Sequence, residues 1–302
     1  GRSLAGDSPS YVVRVVAPCG ASRRQQTRVG MCPISGAGLM GPGVRKSVQP
    51  MAARASGVGY AQLHHFVAAG VWDTAPLEAA LLKEADRVVG DDAGFLVVDD
   101  TALPKKGRHS IGVAPQYASS LGKTANCQSL VSLTLASREV PVMVGLRLFL
   151  PESWTDDPER MTRARVPKDR QTALTKPEIA IEEIDRVIAS GARFGYVLAD
   201  AGYGSSGPFR QALSERGLLW AVGLSRRQNV YPDDIALIFT VATPGKPRKS
   251  PLLAPPPLSD AALVAAGTWT RWIDGWGHVS RVKCRFRLGR DRAWYVPDTI
   301  GH

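Results

Sequence analysis

Two short apolar runs along the chain each end in carboxylates. Residues 95–98 are followed by Asp99 and Asp100, and residues 196–199 are followed by Asp200. Apolar runs of about four residues, bounded by glycine and polar residues, are typical of short buried β-strands. The pattern therefore predicts two buried strands that carry acids at the same end.

Longer periodic segments surround these two runs. Helical spacing of apolar residues predicts helices at 60–72, 74–89, 175–190 and 206–216, and further apolar segments predict strands at 126–137, 140–150 and 218–223. The order from residue 95 onward is three strands, a helix, a strand, a helix and a strand. A doubly wound fold would alternate strand and helix from the start. We therefore expect an α/β fold with the ribonuclease H topology, a mixed sheet with flanking helices.

The paired acids suggest a metal site. Carboxylates crowded at one sheet edge repel each other unless a cation neutralises them, and such oxygen ligands suit Mg²⁺ or Mn²⁺. If the two acidic strands are neighbours, Asp200 and either Asp99 or Asp100 can share metal ions, as two-metal phosphoryl transfer requires. Adjacent strand residues face opposite ways, so the pattern leaves both Asp99 and Asp100 open. The alternative is that these acids only cap turns or face water.

Charge divides the chain into three parts. The net charge is +11, with eight basic residues against one acid in residues 1–58, 18 against 20 in 59–224, and 12 against six in 225–302. Basic flanks around a near-neutral middle are expected when the flanks hold a polyanion and the middle performs the chemistry. Solvating basic tails would give the same balance. The charge favours nucleic acid as the partner.

Four segments follow from these patterns. Residues 1–58 are expected to be a basic, poorly ordered N-terminal arm, and 59–92 a helical region. Residues 93–225 would form the catalytic core, and 226–302 a partial β-rich insertion with a basic tail.

Two basic clusters are candidate phosphate contacts. One is the turn after the first acidic strand, with Lys105, Lys106 and Arg108. The other is an alternating strand near the C-terminus, whose basic face carries four cations about 7 Å apart. An edge strand protected from aggregation by its charges would show the same pattern. The cations of the C-terminal strand are Arg281, Lys283, Arg285 and Arg287.

Several classes of protein are disfavoured. No run of eighteen apolar residues occurs, so no membrane span is expected. The four cysteines lack zinc-ligand spacing and fit a reducing cytoplasm. The chain begins with Gly1 rather than Met, and no signal-peptide pattern follows, so a fragment or processed chain is expected.

Several separate motifs occur in order between about residues 41 and 225. They are Arg45-Lys-Ser-Val-Gln-Pro-Met51, Gln62-Leu-His-His-Phe-Val67, Asp99-Asp-Thr-Ala-Leu-Pro-Lys-Lys-Gly-Arg-His-Ser-Ile-Gly-Val113, Gln116-Tyr117, Gly122-Lys123, Asn126-Cys-Gln128, Leu198-Ala-Asp-Ala-Gly-Tyr-Gly204, Phe209-Arg210 and Ala221-Val-Gly223. Together these motifs resemble bacterial insertion-sequence transposases of the DDE superfamily, the IS-seven-hundred-and-one kind.

The resemblance implies a ribonuclease H-like core in which two Asp and one Glu hold Mg²⁺. Such a core cuts DNA at transposon ends and joins the 3′ ends to a target. The first Asp maps to Asp100, because that acid directly precedes Thr101, with Asp99 as the alternative, and the second maps to Asp200. Pairing of two DNA ends would suit a homodimer, and a bacterial cytoplasmic protein associated with the nucleoid is expected.

The third acid of the resemblance has no counterpart. The last glutamate of the chain is Glu215, and it lies between the fourth and fifth predicted core strands. We therefore expect a truncated or frame-disrupted copy that binds DNA without cleaving it. A ribonuclease H-like nuclease of other biology would need a third acid within residues 59–225, and the clustered candidates are Glu178, Glu182 and Glu183. A capping box and a solvated helix face explain these glutamates without a metal.

Overall fold

The protein is described by a computed structural model. The residues it describes are 26–41, 46–55, 57–68, 74–137 and 140–224, followed by the short strand segments 229–232, 236–238, 252–254, 258–259, 272–274, 284–289 and 292–297. The chain forms two compact units, residues 1–85 and 86–302.

The first unit is helical. Helices α1 (Gln26–Met40), α2 (Val48–Arg54) and α3 (Tyr60–Ala68) precede α4 (Ala75–Val89), which continues into the second unit. Met51, Ala52 and Leu63 form a small buried cluster between α2 and α3. The sequence predicts little order over 1–58, yet α1 and α2 lie there. The sequence pattern that would predict these helices is weak, because α1 contains several glycines and α2 has only seven residues.

The second unit is built on an eight-stranded mixed sheet. Its order is β12-β13-β6-β5-β1-β3-β2, and β4 also pairs with β3. Within it β1 pairs antiparallel with β3 and parallel with β5, and β5 pairs parallel with β6. The strands are β1 (Phe95–Pro104), β2 (Ala114–Ala118), β3 (Lys123–Ser137), β4 (Val140–Leu148), β5 (Tyr196–Ala199), β6 (Leu219–Leu224), β12 (Cys284–Gly289) and β13 (Arg292–Pro297).

The two strands followed by acids, β1 and β5, are neighbours in this mixed sheet, as expected from the sequence. The prediction of an α/β, ribonuclease H-like fold is therefore confirmed. The remaining short strands are β7 (Asn229–Pro232), β8 (Ala236–Ile238), β9 (Leu252–Ala254), β10 (Leu258–Ser259) and β11 (Trp272–Asp274). Strands β10, β7 and β11 form a three-stranded sheet in that order, and β8 pairs with β9.

Alternation along the strands creates the core of the second unit. Leu96 lies between Leu135 of β3 and Val197 of β5, and all three side chains are fully buried. Burying such a side chain stabilises the fold by roughly 1.5–3 kcal/mol. Helix α7 (Lys176–Ala189) packs on β3 and β4, and α9 (Gly207–Glu215) packs on α7 and β6.

The first acidic strand is longer than predicted. We expected β1 to end at the acids, but it continues to Pro104 because β3 pairs with it along its whole length. Strand β2 was not predicted. It occupies the edge of β3 at Lys123–Cys127, and β4 occupies the same edge further along, at Leu130–Ser137.

The polar connection before α7 contains short helical elements. They are α5 (Glu152–Thr155), α6 (Pro158–Arg163) and a 3-10 turn at Lys168–Arg170. Trp154, Met161 and Val166 form a second buried cluster there. Over the described part of the chain, no helix has both the length and the apolar character needed to cross a bilayer.

Candidate active site

Asp100 faces an opening beside β1, just beyond the point where β5 stops pairing with this strand. Strand β5 pairs with β1 only as far as Val98 and Ala199, so Asp100 lies two residues beyond the last paired position. It shares the face of Leu96 and Val98, and its side chain is 30% exposed. The opening is a cleft of about 450 Å³ that both Asp100 and Asp200 line.

Asp200 ends β5 and caps the next helix, α8 (Ala201–Gly204). Its Oδ1 accepts hydrogen bonds from the backbone N–H groups of Gly202 (2.9 Å) and Tyr203 (3.3 Å). Helix α8 lies directly against β6. A Cβ on Gly204 would fall on the carbonyl oxygen of Gly223, and one on Gly223 would lie 2.7 Å from the Ala201 nitrogen. The backbone contact between α8 and β6 thus fixes the position of Asp200.

Tyr203 connects the two acids. Its hydroxyl donates to Asp100 Oδ1 at 2.5 Å, while its backbone N–H donates to Asp200. The ring is buried and packs on Phe209, with 5.6 Å between centroids. Burial, and next the negative charge of Asp100, raise the pKa of the Tyr203 hydroxyl far above its usual range. The hydroxyl therefore stays protonated and holds Asp100 in place.

Lys176 occupies the other oxygen of Asp100. Its Nζ lies 2.5 Å from Asp100 Oδ2 and 5.6 Å from the centroid of the Phe149 ring. Lys176 is the first residue of α7, which begins with the predicted capping box of Thr175 and Glu178. The capping box thus sets the start of α7, and with it Lys176, beside the cleft.

Asp99 faces away from this arrangement. Its Oδ1 accepts a hydrogen bond from the Asp100 backbone N–H at 2.7 Å, and the residue is exposed on the opposite face of β1. Asp100, not Asp99, is among the residues that line the cleft.

The glutamates considered as third ligands are engaged elsewhere. Glu178 lines the cleft, but its Oε2 accepts from the backbone N–H and the hydroxyl of Thr175, both at 2.7 Å. These bonds, led by the backbone one, lower the pKa of Glu178. Glu182 and the buried Glu183 pair with Arg147, and Glu183 also pairs with Arg186.

Oxygen donors of the cleft suit a divalent metal. Asp100 and Asp200 are hard carboxylate ligands of the kind that Mg²⁺ and Mn²⁺ prefer, and they face one cleft of sufficient size. Glu152 also lines it. Among the residues that the structure describes, no cluster of three His, Cys, Asp or Glu side chains is placed to hold a metal. The described residues thus bring the two predicted acids to one cleft.

The predicted basic turn is a well-anchored loop outside the cleft. Lys106 and Arg108 are exposed and Lys105 is half-buried, and the loop starts about 13 Å along β1 from Asp100. The Asn126 side chain donates to the carbonyls of Lys105 (2.8 Å) and Gly107 (2.9 Å). Further anchors are Gln128 Nε2 to Ile111, Trp154 Nε1 to Val113 and Arg160 Nη2 to Arg108, each donating to a backbone carbonyl.

The C-terminal basic strand is described only in part. Arg285 and Arg287 lie on β12, which pairs with β13 at one end of the order of the eight-stranded sheet. Arg281 and Lys283 fall outside the described residues.

Sequence reasoning missed Lys176 as a partner of the first acid. The capping box correctly predicted the start of a helix. A local motif of this kind does not predict where the start of that helix lies relative to the sheet. Tyr203 lay inside a quoted motif, but its hydroxyl contact with Asp100 joins positions 103 residues apart. Glu152 was read only as part of a polar connection.

Comparisons with known proteins agree with this fold. The model of the family described as DDE superfamily endonuclease matches residues 19–276. A probable transposase for insertion sequence element IS701 from Microchaete diplosiphon is 31% identical over 194 residues, which are 62% of this chain and 46% of the relative. The chain thus spans about half the length of that relative. Because the family model matches most of the chain, the chain belongs to the DDE superfamily endonuclease family.

Proposed function

We propose that this chain is part of a DNA transposase that acts at the ends of an insertion sequence. One observation carries the proposal: Asp100 and Asp200 end up in one cleft, at the edge of two neighbouring parallel strands, and Tyr203 touches both. The likeness to a probable insertion-sequence transposase supports the same activity.

The residues of the cleft hold and orient the acids. Asp100 and Asp200 would bind a divalent ion, which when bound supplies charge neutralisation and activates oxygen nucleophiles. Tyr203 keeps the Asp100 carboxylate turned into the cleft by donating to Oδ1. The backbone N–H groups of Gly202 and Tyr203 hold Asp200 from the opposite side.

The proposed chemistry is two successive phosphoryl transfers. In the first, a water oxygen bonds to phosphorus, the P–O3′ bond breaks, and the leaving oxygen takes a proton to become a 3′-hydroxyl. In the second, that 3′-hydroxyl bonds to a target phosphorus in line as a target P–O3′ bond breaks. One phosphodiester replaces another, so the joining step needs no external energy source.

Double-stranded DNA is the proposed partner. The anchored loop with Lys105, Lys106 and Arg108 presents cations on a fixed backbone, which lowers the entropy cost of binding phosphate. We place the protein at the bacterial nucleoid, and we propose that two copies pair two DNA ends.

A second candidate function is DNA binding without catalysis. It is favoured by the lack of a third clustered acid among the described residues. The two functions share the DNA partner and differ only at the cleft.

Strand cleavage of the element's own terminal DNA tests the proposal. The 302-residue chain and the full open reading frame are assayed side by side with Mg²⁺ or Mn²⁺. We expect metal-dependent nicking at the ends once a third carboxylate is supplied, and loss of nicking in Asp100→Asn and Asp200→Asn. Lys168→Gln, on an exposed turn outside the cleft, serves as the control. Nicking that survives both Asp substitutions would contradict the proposed site.

A further inference from the structure

The first acid of the cleft already has a cation bound to it. Both oxygens of Asp100 are in use, Oδ1 by the Tyr203 hydroxyl and Oδ2 by the Lys176 ammonium. The tyrosine contact is neutral, and it leaves lone pairs of Oδ1 free to bind another group. The ammonium is charged, and its positive charge lies next to Asp100 Oδ2, where it opposes the approach of a second cation to this carboxylate.

Lys176 is attached to a rigid base by a flexible side chain. Its backbone is the first turn of α7, fixed by the capping box and by the buried face of Ile179, Ile184 and Val187. Its Nζ lies 5.6 Å from the centroid of the Phe149 ring, and the side chain is 27% exposed. The ammonium is thus free to leave Asp100 through a change of rotamer, without any movement of the helix.

We propose that Lys176 is an internal counter-ion that neutralises Asp100 in the metal-free protein and must leave it before a divalent ion binds. The inference rests on the proposed function, because it takes Asp100 as a metal ligand. The inference goes further by assigning Lys176, which is not itself a metal ligand, a role in setting the metal affinity of the cleft. Lys176 is thereby a positioning residue, which keeps Asp100 turned into the cleft until the ion arrives.

The strength of the ion pair suits such a role. Both partners are about 30% exposed, so solvent screens their attraction and the pair is easily broken. A fully buried pair would resist displacement, because separating it leaves an uncompensated charge in a low dielectric. The partly exposed pair therefore weakens the binding of a metal ion in the cleft but does not prevent it.

Metal binding measured without DNA tests the proposal. Mn²⁺ is titrated into the chain, and free Mn²⁺ is followed by electron paramagnetic resonance. Lys176→Met removes the competing charge and keeps an apolar stem of similar length, so the dissociation constant is expected to fall about twofold to fivefold. Lys176→Arg keeps the cation and is expected to bind Mn²⁺ about as the parent chain does.

Lys168→Met is the matched control. It removes one positive charge from the exposed 3-10 turn that precedes α7, and it does not line the cleft. It is expected to leave the dissociation constant unchanged. Thermal unfolding of all three variants checks that α7 remains in place.

The outcomes separate this proposal from the proposed function. If the parent chain binds Mn²⁺ in a manner that Asp100→Asn abolishes, and Lys176→Met binds no more tightly, the counter-ion role is overturned and the metal site stands. Mn²⁺ binding that appears only in Lys176→Met supports the role. If neither chain binds Mn²⁺, the counter-ion proposal fails, whereas the proposed function is tested separately by nicking with the full open reading frame.

Discussion

At the scale of single residues, the surroundings of a carboxylate decide its role more than its place in a motif. Glu183 sits on the helix beside the cleft and was a candidate ligand. Its side chain is only 5% exposed, and Arg147 and Arg186 take its two oxygens at 2.9 and 2.7 Å. A buried carboxylate with two guanidinium partners is a structural group, because freeing it for a metal would take an anionic partner from two partly buried cations.

Replacement of Glu183 by Gln is expected to destabilise the fold without changing metal binding. Removal of one partner from a buried ion pair typically costs about 3–5 kcal/mol, since the remaining charges lose their compensation. Urea unfolding measures the loss. Glu182→Gln is the control, because that side chain is 49% exposed and its pair with Arg147 contributes about 1 kcal/mol or less. Unchanged stability together with lost Mn²⁺ binding would make Glu183 a ligand.

The local pattern around the two acids could be read from the sequence, whereas their contact partners could not. Asp100 and Asp200 follow apolar runs, which is a local pattern that can be read within six residues. The contacts of Asp100 with Lys176 and Tyr203 join residues 76 and 103 positions apart. The pairing of β1 with β5 brings Tyr203 to Asp100, and the packing of α7 on β3 and β4 brings Lys176 there. Side chains alternate between the two faces of β1, and Leu96 and Val98 mark the buried face. Asp100 shares that face and Asp99 does not, which favours Asp100 as the residue in the cleft.

At the scale of elements, the start of α7 links stability to pH. The pKa of Glu178 is lowered in the folded chain by its bonds to Thr175. A group with a lowered folded pKa stabilises the fold above its unfolded pKa, and this contribution disappears as the pH falls through the folded value.

Glu178→Ala is therefore expected to cost roughly 0.5–1 kcal/mol at pH 7, as loss of a helix cap does. The difference from the parent chain should shrink below about pH 4.3, the usual pKa of glutamate. Unfolding midpoints measured between pH 3 and pH 7 check this. Glu159→Ala, an exposed residue of α6, is expected to show no such trend. A difference that stays constant with pH would mean that packing, not the cap, is lost.

Elements with strong periodicity or clear boundaries were predictable, and those created by a partner strand were not. The capping box and Gly191 marked both ends of α7, and Gly217 follows α9 as expected. Strand β2 and the second half of β1 exist because the fifteen-residue β3 offers them an edge to pair with. Such lengths depend on tertiary pairing, which local patterns do not carry.

At the scale of the whole molecule, the net charge of +11 predicts DNA affinity that falls steeply with salt. Each phosphate contact on duplex DNA contributes about 0.9 to the slope of log affinity against log salt. Changing the four cations of the C-terminal strand to Gln is expected to flatten the slope by several units. These are Arg281, Lys283, Arg285 and Arg287.

Fluorescence anisotropy at several salt concentrations measures the slope. The control removes the same charge elsewhere, from four cations of the connection before α7, and should change the slope less. These are Arg163, Arg165, Lys168 and Arg170. A C-terminal variant with the parent slope would assign the strand to protection of a sheet edge.

The close contact of α8 with β6 bears on how copies of this gene decay. A side chain at Gly204 or Gly223 would push α8 off the strand and carry Asp200 with it. Every base change in the first two positions of a glycine codon replaces the glycine, so these two codons are sensitive targets for inactivating mutation. Copies released from selection should often lose the second acid's position while Asp200 itself is still encoded. A gene copy that encodes both aspartates is therefore expected to keep the geometry of the cleft only if it also encodes Gly204 and Gly223.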